Sequence, residues 1–225
     1  MSNPIEFKPP YLMVICGRQG SGKSHLINWL MRENSLSDTA FDYGIVITNT
    51  VFEGSFPYIP QKYIFETFNP ETVENLMNIQ KKNVEKGIHK QAFILFDDAL
   101  DDPEQWTSPC IKRLTTQLRH YDISIIISTQ YPHLVPPRVR ANCMYSLFFD
   151  IGAGRREMDA IYNAYGGHFD NFQQFKAFYY NNVKDHKFVL YDKESDTYKT
   201  YKCPPEIPKF QLKYNRKVNG KRKSK

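Results

Sequence analysis

Eight residues near the start of the chain, Gly17-Arg18-Gln19-Gly20-Ser21-Gly22-Lys23-Ser24, read G-x-x-x-x-G-K-S. A short apolar run, Tyr11 to Cys16, precedes them, and a segment from His25 to Glu33 with apolar residues at helical spacing follows. Strand, glycine-rich turn and helix in this order confine the chain to an α/β arrangement with a phosphate-binding P-loop. The glycines let the backbone wrap closely and aim N–H groups at anionic oxygens. The helix N-terminus adds the positive end of its dipole. Lys23 supplies a mobile charge for β- and γ-phosphates, and the Ser24 hydroxyl is placed to ligate Mg²⁺. Gly17 to Ser24, with His25 behind them, are therefore the candidate nucleotide-binding residues.

The 225 residues suffice for one α/β domain with a full core and are too few for two ordinary ones. Hydrophobic residues make up 41% and charged residues 24%, a composition that argues against disorder. No apolar run approaches the ~20 residues of a membrane span, so no membrane association is expected. Met1 to Glu6 carries no basic segment followed by an apolar one, which argues against secretion. Cys16, Cys110, Cys143 and Cys203 are scattered without a C-x-x-C pair and read as reduced thiols. The net charge of +6 has a location: Lys213 to Lys225 hold seven Lys or Arg and no acid, leaving the rest near −1. Residues 1–210 are thus expected to form the folded domain. Residues 211–225 are expected to be a disordered basic tail attracted to polyanions.

Strands are expected at Tyr43–Thr48, Gln91–Asp97, Ile123–Ser128 and Met144–Asp150, and a terminal hairpin from Lys187–Tyr191 and Thr197–Tyr201. Helices are expected at Glu71–Gly87, capped by Asn69-Pro70, at Cys110–His120, and at Arg155–Tyr165, closed by Gly166-Gly167. Phe52 to Pro60 reads as loop. Strands alternating with helices imply a mostly parallel sheet covered on both faces.

Two further segments carry chemistry. Phe93-Ile94-Leu95-Phe96-Asp97-Asp98 is a buried strand ending in two carboxylates, a Walker B pattern. It delivers Asp97 to the C-terminal edge of the sheet, where it can hold Mg²⁺, and Asp98 to where it can orient or deprotonate attacking water. The strand from Ile123 ends in Thr129-Gln130. If it lies between the P-loop strand and the Walker B strand, Gln130 can touch both the γ-phosphate and that water.

The stretch from Leu118 to Pro132, with Arg119 before the strand and Thr129-Gln130-Tyr131-Pro132 after it, resembles the FtsK–HerA superfamily of DNA-pumping ATPases. The continuation from Leu134 to Asn142 resembles its viral branch, the genome-packaging ATPases of poxviruses, other large DNA viruses and virophages. The resemblance covers about Tyr11 to Asp150. The family often has Glu where this chain has Asp98. The resemblance implies a P-loop NTPase fold with the sensor strand between the P-loop and Walker B strands, and ATP with Mg²⁺ as cofactors. It further implies a homo-oligomeric ring, hexameric or pentameric, that hydrolyses ATP to move double-stranded DNA into a capsid, at a capsid or portal vertex. The expected place is a virus assembly site in host cytoplasm or nucleus. Arg119 matches the family position preceding the sensor strand and is a candidate arginine finger acting on a neighbour's γ-phosphate; Arg138 and Arg140 are further candidates for nucleotide or neighbour contact. Three alternatives stay open: a nucleoside or nucleotide kinase, a helicase- or conjugation-type motor of the same superfamily, and a non-enzymatic scaffold that retains nucleotide binding.

Overall fold

The computed structural model describes residues 7–36, 41–50, 55–100 and 102–203. The basic tail of residues 211–225 and the start of the expected loop at Phe52 lie outside the described residues. Six strands and five helices succeed one another up to residue 165. They are β1 (Leu12–Cys16), α1 (Lys23–Leu36), β2 (Tyr43–Thr48), β3 (Ile64–Phe65), α2 (Pro70–Glu85), β4 (Ala92–Asp97), α3 (Pro109–Gln117), β5 (Ile123–Thr129), α4 (Pro137–Asn142), β6 (Tyr145–Phe148) and α5 (Arg155–Tyr165). A further helix, α6 (Phe172–Asn182), leads into the hairpin β7 (Lys187–Asp192) and β8 (Thr197–Lys202). Together the strands form one eight-stranded sheet in the order β3-β2-β4-β5-β1-β6-β7-β8. The first six are parallel, while β7 and β8 run antiparallel along one edge.

The central strands are nearly continuous apolar runs because both of their faces are covered. Alternation along each strand sorts the side chains into two cores. Leu12, Val14, Ile94, Phe96, Ile125 and Ile127 face α2, α3, α5 and α6. Met13, Ile15, Leu95 and Ile126 face α1, which contributes Leu26, Ile27, Leu30 and Met31. Covering both faces leaves the ends of the strands as the open surfaces. At the C-terminal edge, Cys16 stands level with Thr129, and Asp97 with Ser128. β5 thus lies between β1 and β4, as the resemblance implies, and the three motifs meet at one edge.

The elements begin and end for local reasons. The Asn69 side chain accepts a hydrogen bond from Glu71 N at 2.9 Å with Pro70 in the first turn, capping α2 where expected. The third expected helix is shorter than its sequence pattern and tightens into a 3₁₀ turn at Leu118–Tyr121. It closes at Asp122, whose φ of +49 ends the turn and starts β5. Three elements were not anticipated: β3, α4 and α6. Two-residue β3 is too short to carry a period, and Pro136-Pro137 reads as turn although Pro137 opens α4. The signal for α6 is present: Asn171 caps it by accepting from Gln174 N at 3.0 Å, and Phe175 and Tyr179, four apart, are its buried residues.

Candidate nucleotide site

The P-loop spans the gap between the end of β1 and the first turn of α1 and is pinned from both sides. Gly17 N donates to Thr129 O at 3.2 Å, and Arg18 N donates to Asp150 O at 2.8 Å. A Cβ at Gly17 would lie 2.5 Å from Ser21 Oγ and 2.7 Å from Phe149 Cβ, so the wrap closes only over glycine. Gly22 has φ +112, a conformation side chains resist. The first intrahelical bond of α1 runs from Leu26 N to Gly22 O. The N–H groups of Lys23 and Ser24 therefore have no partner within the helix and are available to an anion. Ser21 Oγ is buried with no hydrogen-bond partner in the protein, an orphaned polar atom inside the cradle.

Lys23 is only 6% exposed, and its Nζ donates to Gly17 O at 2.7 Å. Burial lowers its pKa, while the carboxylates of Asp98 and Asp97 push it back up. Asp97, 8% exposed at the end of β4, has its pKa raised by burial. A buried carboxylate in that state gains most from a cation. With the exposed Ser24 hydroxyl it makes an all-oxygen donor pair, which suits Mg²⁺. Among the described residues no cluster of three His, Cys, Asp or Glu could hold a metal, so remaining ligands would come from nucleotide and water.

Asp98 and Gln130 are joined directly. Gln130 N donates to Asp98 Oδ1 at 3.1 Å and Gln130 Nε2 donates to Asp98 Oδ2 at 3.0 Å. Asp98 N in turn donates to Ser128 O at 3.0 Å. The Asp98 backbone is left-handed, with φ +47. Aspartate adopts this conformation more readily than most residues, and here it turns the chain out of β4 directly beside Gln130. Two site residues escape sequence reasoning. Asn49, just after β2, donates its Nδ2 to Asp98 O at 2.8 Å. Asp150, just after β6, bridges Arg18 Nη2 at 2.8 Å. Their common signal is position: each follows a parallel strand and therefore reaches the same edge of the sheet.

The three arginines do not join this group. Arg119 precedes β5 and so stands at the opposite, N-terminal edge, where its Nη2 lies 3.8 Å from Met144 Sδ. Any action on a nucleotide would have to be on another molecule's. Arg138 donates to Trp106 O at 2.6 Å, and Arg140 to Pro132 O at 3.1 Å and to Val135 O. Arg140 thus braces the loop that follows Gln130. The four cysteines are free thiols, three of them buried.

The geometry agrees with what the chain resembles. The family model for the poxvirus A32 protein matches residues 6–165. The uncharacterized protein 075L of invertebrate iridescent virus 6 is 26% identical over 183 residues, covering 80% of this chain and 69% of its own. The uncharacterized protein 088R of invertebrate iridescent virus 3 is 25% identical over 193 residues, covering 82% and 71%. Among solved structures, the genome packaging NTPase B204 of Sulfolobus turreted icosahedral virus 2, in complex with AMPPCP, superposes with a TM-score of 0.67 at 20% identity. That match covers 88% of this chain and 100% of B204. The cytoplasmic domain of the type VII secretion ATPase EccC of Thermomonospora curvata gives 0.55 at 12% identity, over 85% of this chain and 25% of that one. The fold is that of the P-loop ATPases, and the family match spans well over half of the sequence, from before β1 to the end of α5. The chain belongs to the poxvirus A32 protein family.

Proposed function

We propose that this chain is an ATP hydrolase whose turnover drives double-stranded DNA into a viral capsid. The observation that carries the reading is the hydrogen-bonded Asp98–Gln130 pair on adjacent strands beside the P-loop. Family membership supports the packaging role, as does the shared fold with a protein described as a genome packaging NTPase.

Loop amides and Lys23, exchanging the Gly17 carbonyl for phosphate, would hold the β- and γ-phosphates. Ser24 and Asp97 would hold Mg²⁺, which when bound neutralises charge on the phosphate oxygens. Asp98 would accept from the attacking water while Gln130, fixed on Asp98, lines it up with the γ-phosphate. Arg119, remote from its own site, would serve a neighbour's nucleotide in a ring, making hydrolysis depend on assembly. DNA contact would be directed at the phosphate backbone and weaken steeply with salt, since a pump must ignore sequence. Membership in this family favours the virus assembly site as its place of action, with a capsid or portal vertex as partner. No helix among the described residues is long and apolar enough to cross a membrane.

The test is phosphate release from ATP with and without duplex DNA, together with negative-stain imaging in the presence of an ATP analogue. Stimulation by DNA, loss of turnover in Lys23→Ala and ring particles are the expected results. Transfer of phosphate to nucleosides by a persistent monomer would overturn the reading in favour of a kinase.

A further inference from the structure

We propose that the groove between α2 and the β3 edge of the sheet receives residues Phe210 to Tyr214 of a second copy of this chain; this rests on the reading that the protein works as an oligomer. The groove has a volume of about 510 Å³ and is lined chiefly by Tyr43, Ile45, Tyr63, Phe65, Leu76 and Ile79. Tyr63 and Ile79 are two of the four large apolar side chains exposed among the described residues, at 39% and 52%. β3 is the outermost strand on this side and pairs with β2 only at Val46 and Ile47. The start of β2, Tyr43 to Ile45, therefore has β4 on one side and no strand on the other among the described residues. An open apolar sheet edge beside a helix is a surface that an extended segment can cover.

The sequence offers such a segment. Phe210-Gln211-Leu212-Lys213-Tyr214, outside the described residues, alternates apolar and polar residues, the period of a strand with one buried face. The Lys and Arg residues from Arg216 onward follow it, so docking the segment leaves those charges in water. Extended, Phe210 to Tyr214 measures ~13 Å. Thr72 and Ile79, which bound the groove along α2, are seven residues of helix apart, ~10 Å. One face of the segment, Phe210, Leu212 and Tyr214, thus matches the groove in length as well as in chemistry.

The segment cannot come from the same copy. Cys203, the last described residue, follows β8 at the far edge of the sheet. Six strand-to-strand steps of ~4.8 Å, ~29 Å in all, separate β8 from β2. The seven residues from Cys203 to Phe210 span at most ~25 Å, and helices on both faces lengthen the path. Cys203 also stands at the P-loop end of the strands, its Sγ 3.8 Å from Gly22 O, whereas Tyr43 to Ile45 form the opposite end of β2. A contact between unlike edges of two copies is head-to-tail, the kind that closes into a ring.

The test places charges in each half of the contact, in the full chain: Phe210→Glu with Leu212→Glu in the segment, and Ile79→Glu at the exposed groove position. Sedimentation should show self-association weakened about tenfold or more in either variant, with the melting temperature of the parent. Mixed, the two variants should form heterodimers, because one intact segment meets one intact groove. Association equal to that of the parent in either variant overturns the assignment and leaves the ring itself standing. A fluorescent peptide of residues 207–215 tests the docking without a ring. It should bind the Phe210→Glu, Leu212→Glu chain, whose own segment no longer competes, and bind about tenfold or more weakly once Ile79→Glu is added. No binding, or equal binding with and without Ile79→Glu, overturns the proposal whether or not particles form. A parent that stays monomeric while this peptide binds supports the docking and overturns the ring.

Discussion

Replacing Asp98 with asparagine would separate charge from shape at the hydrolytic end of the site. The left-handed backbone at φ +47 tolerates Asn about as well as Asp, whereas alanine would carry roughly 1–2 kcal/mol of strain. The bond from Gln130 N at 3.1 Å survives, because asparagine keeps a carbonyl Oδ1. The bond from Gln130 Nε2 at 3.0 Å is kept only if the Gln130 amide turns over and accepts from the new NH₂ group. Both charge-assisted bonds become neutral ones, which together cost about 1 kcal/mol of stability at this half-buried site. Turnover should fall much further, by ~10²–10⁴-fold, if the carboxylate orients or deprotonates the attacking water. That corresponds to roughly 3–5 kcal/mol of barrier, several times the stability change. Single-turnover phosphate release at saturating ATP gives the first quantity, and urea unfolding gives the second. A folded Asp98→Asn protein turning over within about threefold of the parent would refute the reasoning and reduce Asp98 to a support for Gln130.

Asp97→Asn should abolish Mg²⁺-dependent turnover yet leave the fold neutral or slightly more stable, because a buried charge is removed. Its raised pKa means the folded state binds the proton more tightly than the unfolded chain does. The stability gain should therefore be full at neutral pH and vanish as the pH falls through the raised pKa toward 3.8, as thermal melts against pH would record. Arg140→Ala strips donors from the Pro132 and Val135 carbonyls and should cost ~1–3 kcal/mol. It should lower turnover severalfold through the Gln130 loop with ATP affinity nearly unchanged; an equal loss of both would count against that route. Gly44→Ala would put a Cβ 2.2 Å from the Phe93 ring and should destabilise by ~1–3 kcal/mol, so an unchanged melting temperature would contradict the packing of β2 on β4.

Much of this arrangement was legible because the decisive residues follow directly on strands. A parallel sheet brings the ends of β1, β4 and β5 together whatever lies between, so the P-loop, Asp97-Asp98 and Gln130 could be assigned to one edge from the sequence. Asn49 and Asp150 obey the same rule, but neither belongs to a pattern of its own that would single it out. The partnership of Asp98 with Gln130, 32 residues apart, needed the register of β4 against β5. Arg140 looked like a contact residue because a guanidinium beside prolines reads as surface charge. Its binding to the Pro132 and Val135 carbonyls arises only when α4 folds back under the loop. In α6 the many aromatics obscure the four-residue spacing of Phe175 and Tyr179, although Asn171 marks the start of the helix.

The position of β5 has a mechanical consequence. The strand is a seven-residue rod about 20 Å long, buried throughout and bonded along both sides, with Gln130 directly after one end and Arg119 in the 3₁₀ turn that precedes the other. Such a rod does not absorb a push by bending. A displacement imposed at Ile123, where the strand begins, would arrive at Gln130 nearly undiminished, whereas one imposed at Arg119 would first have to pass through the turn that Asp122 closes.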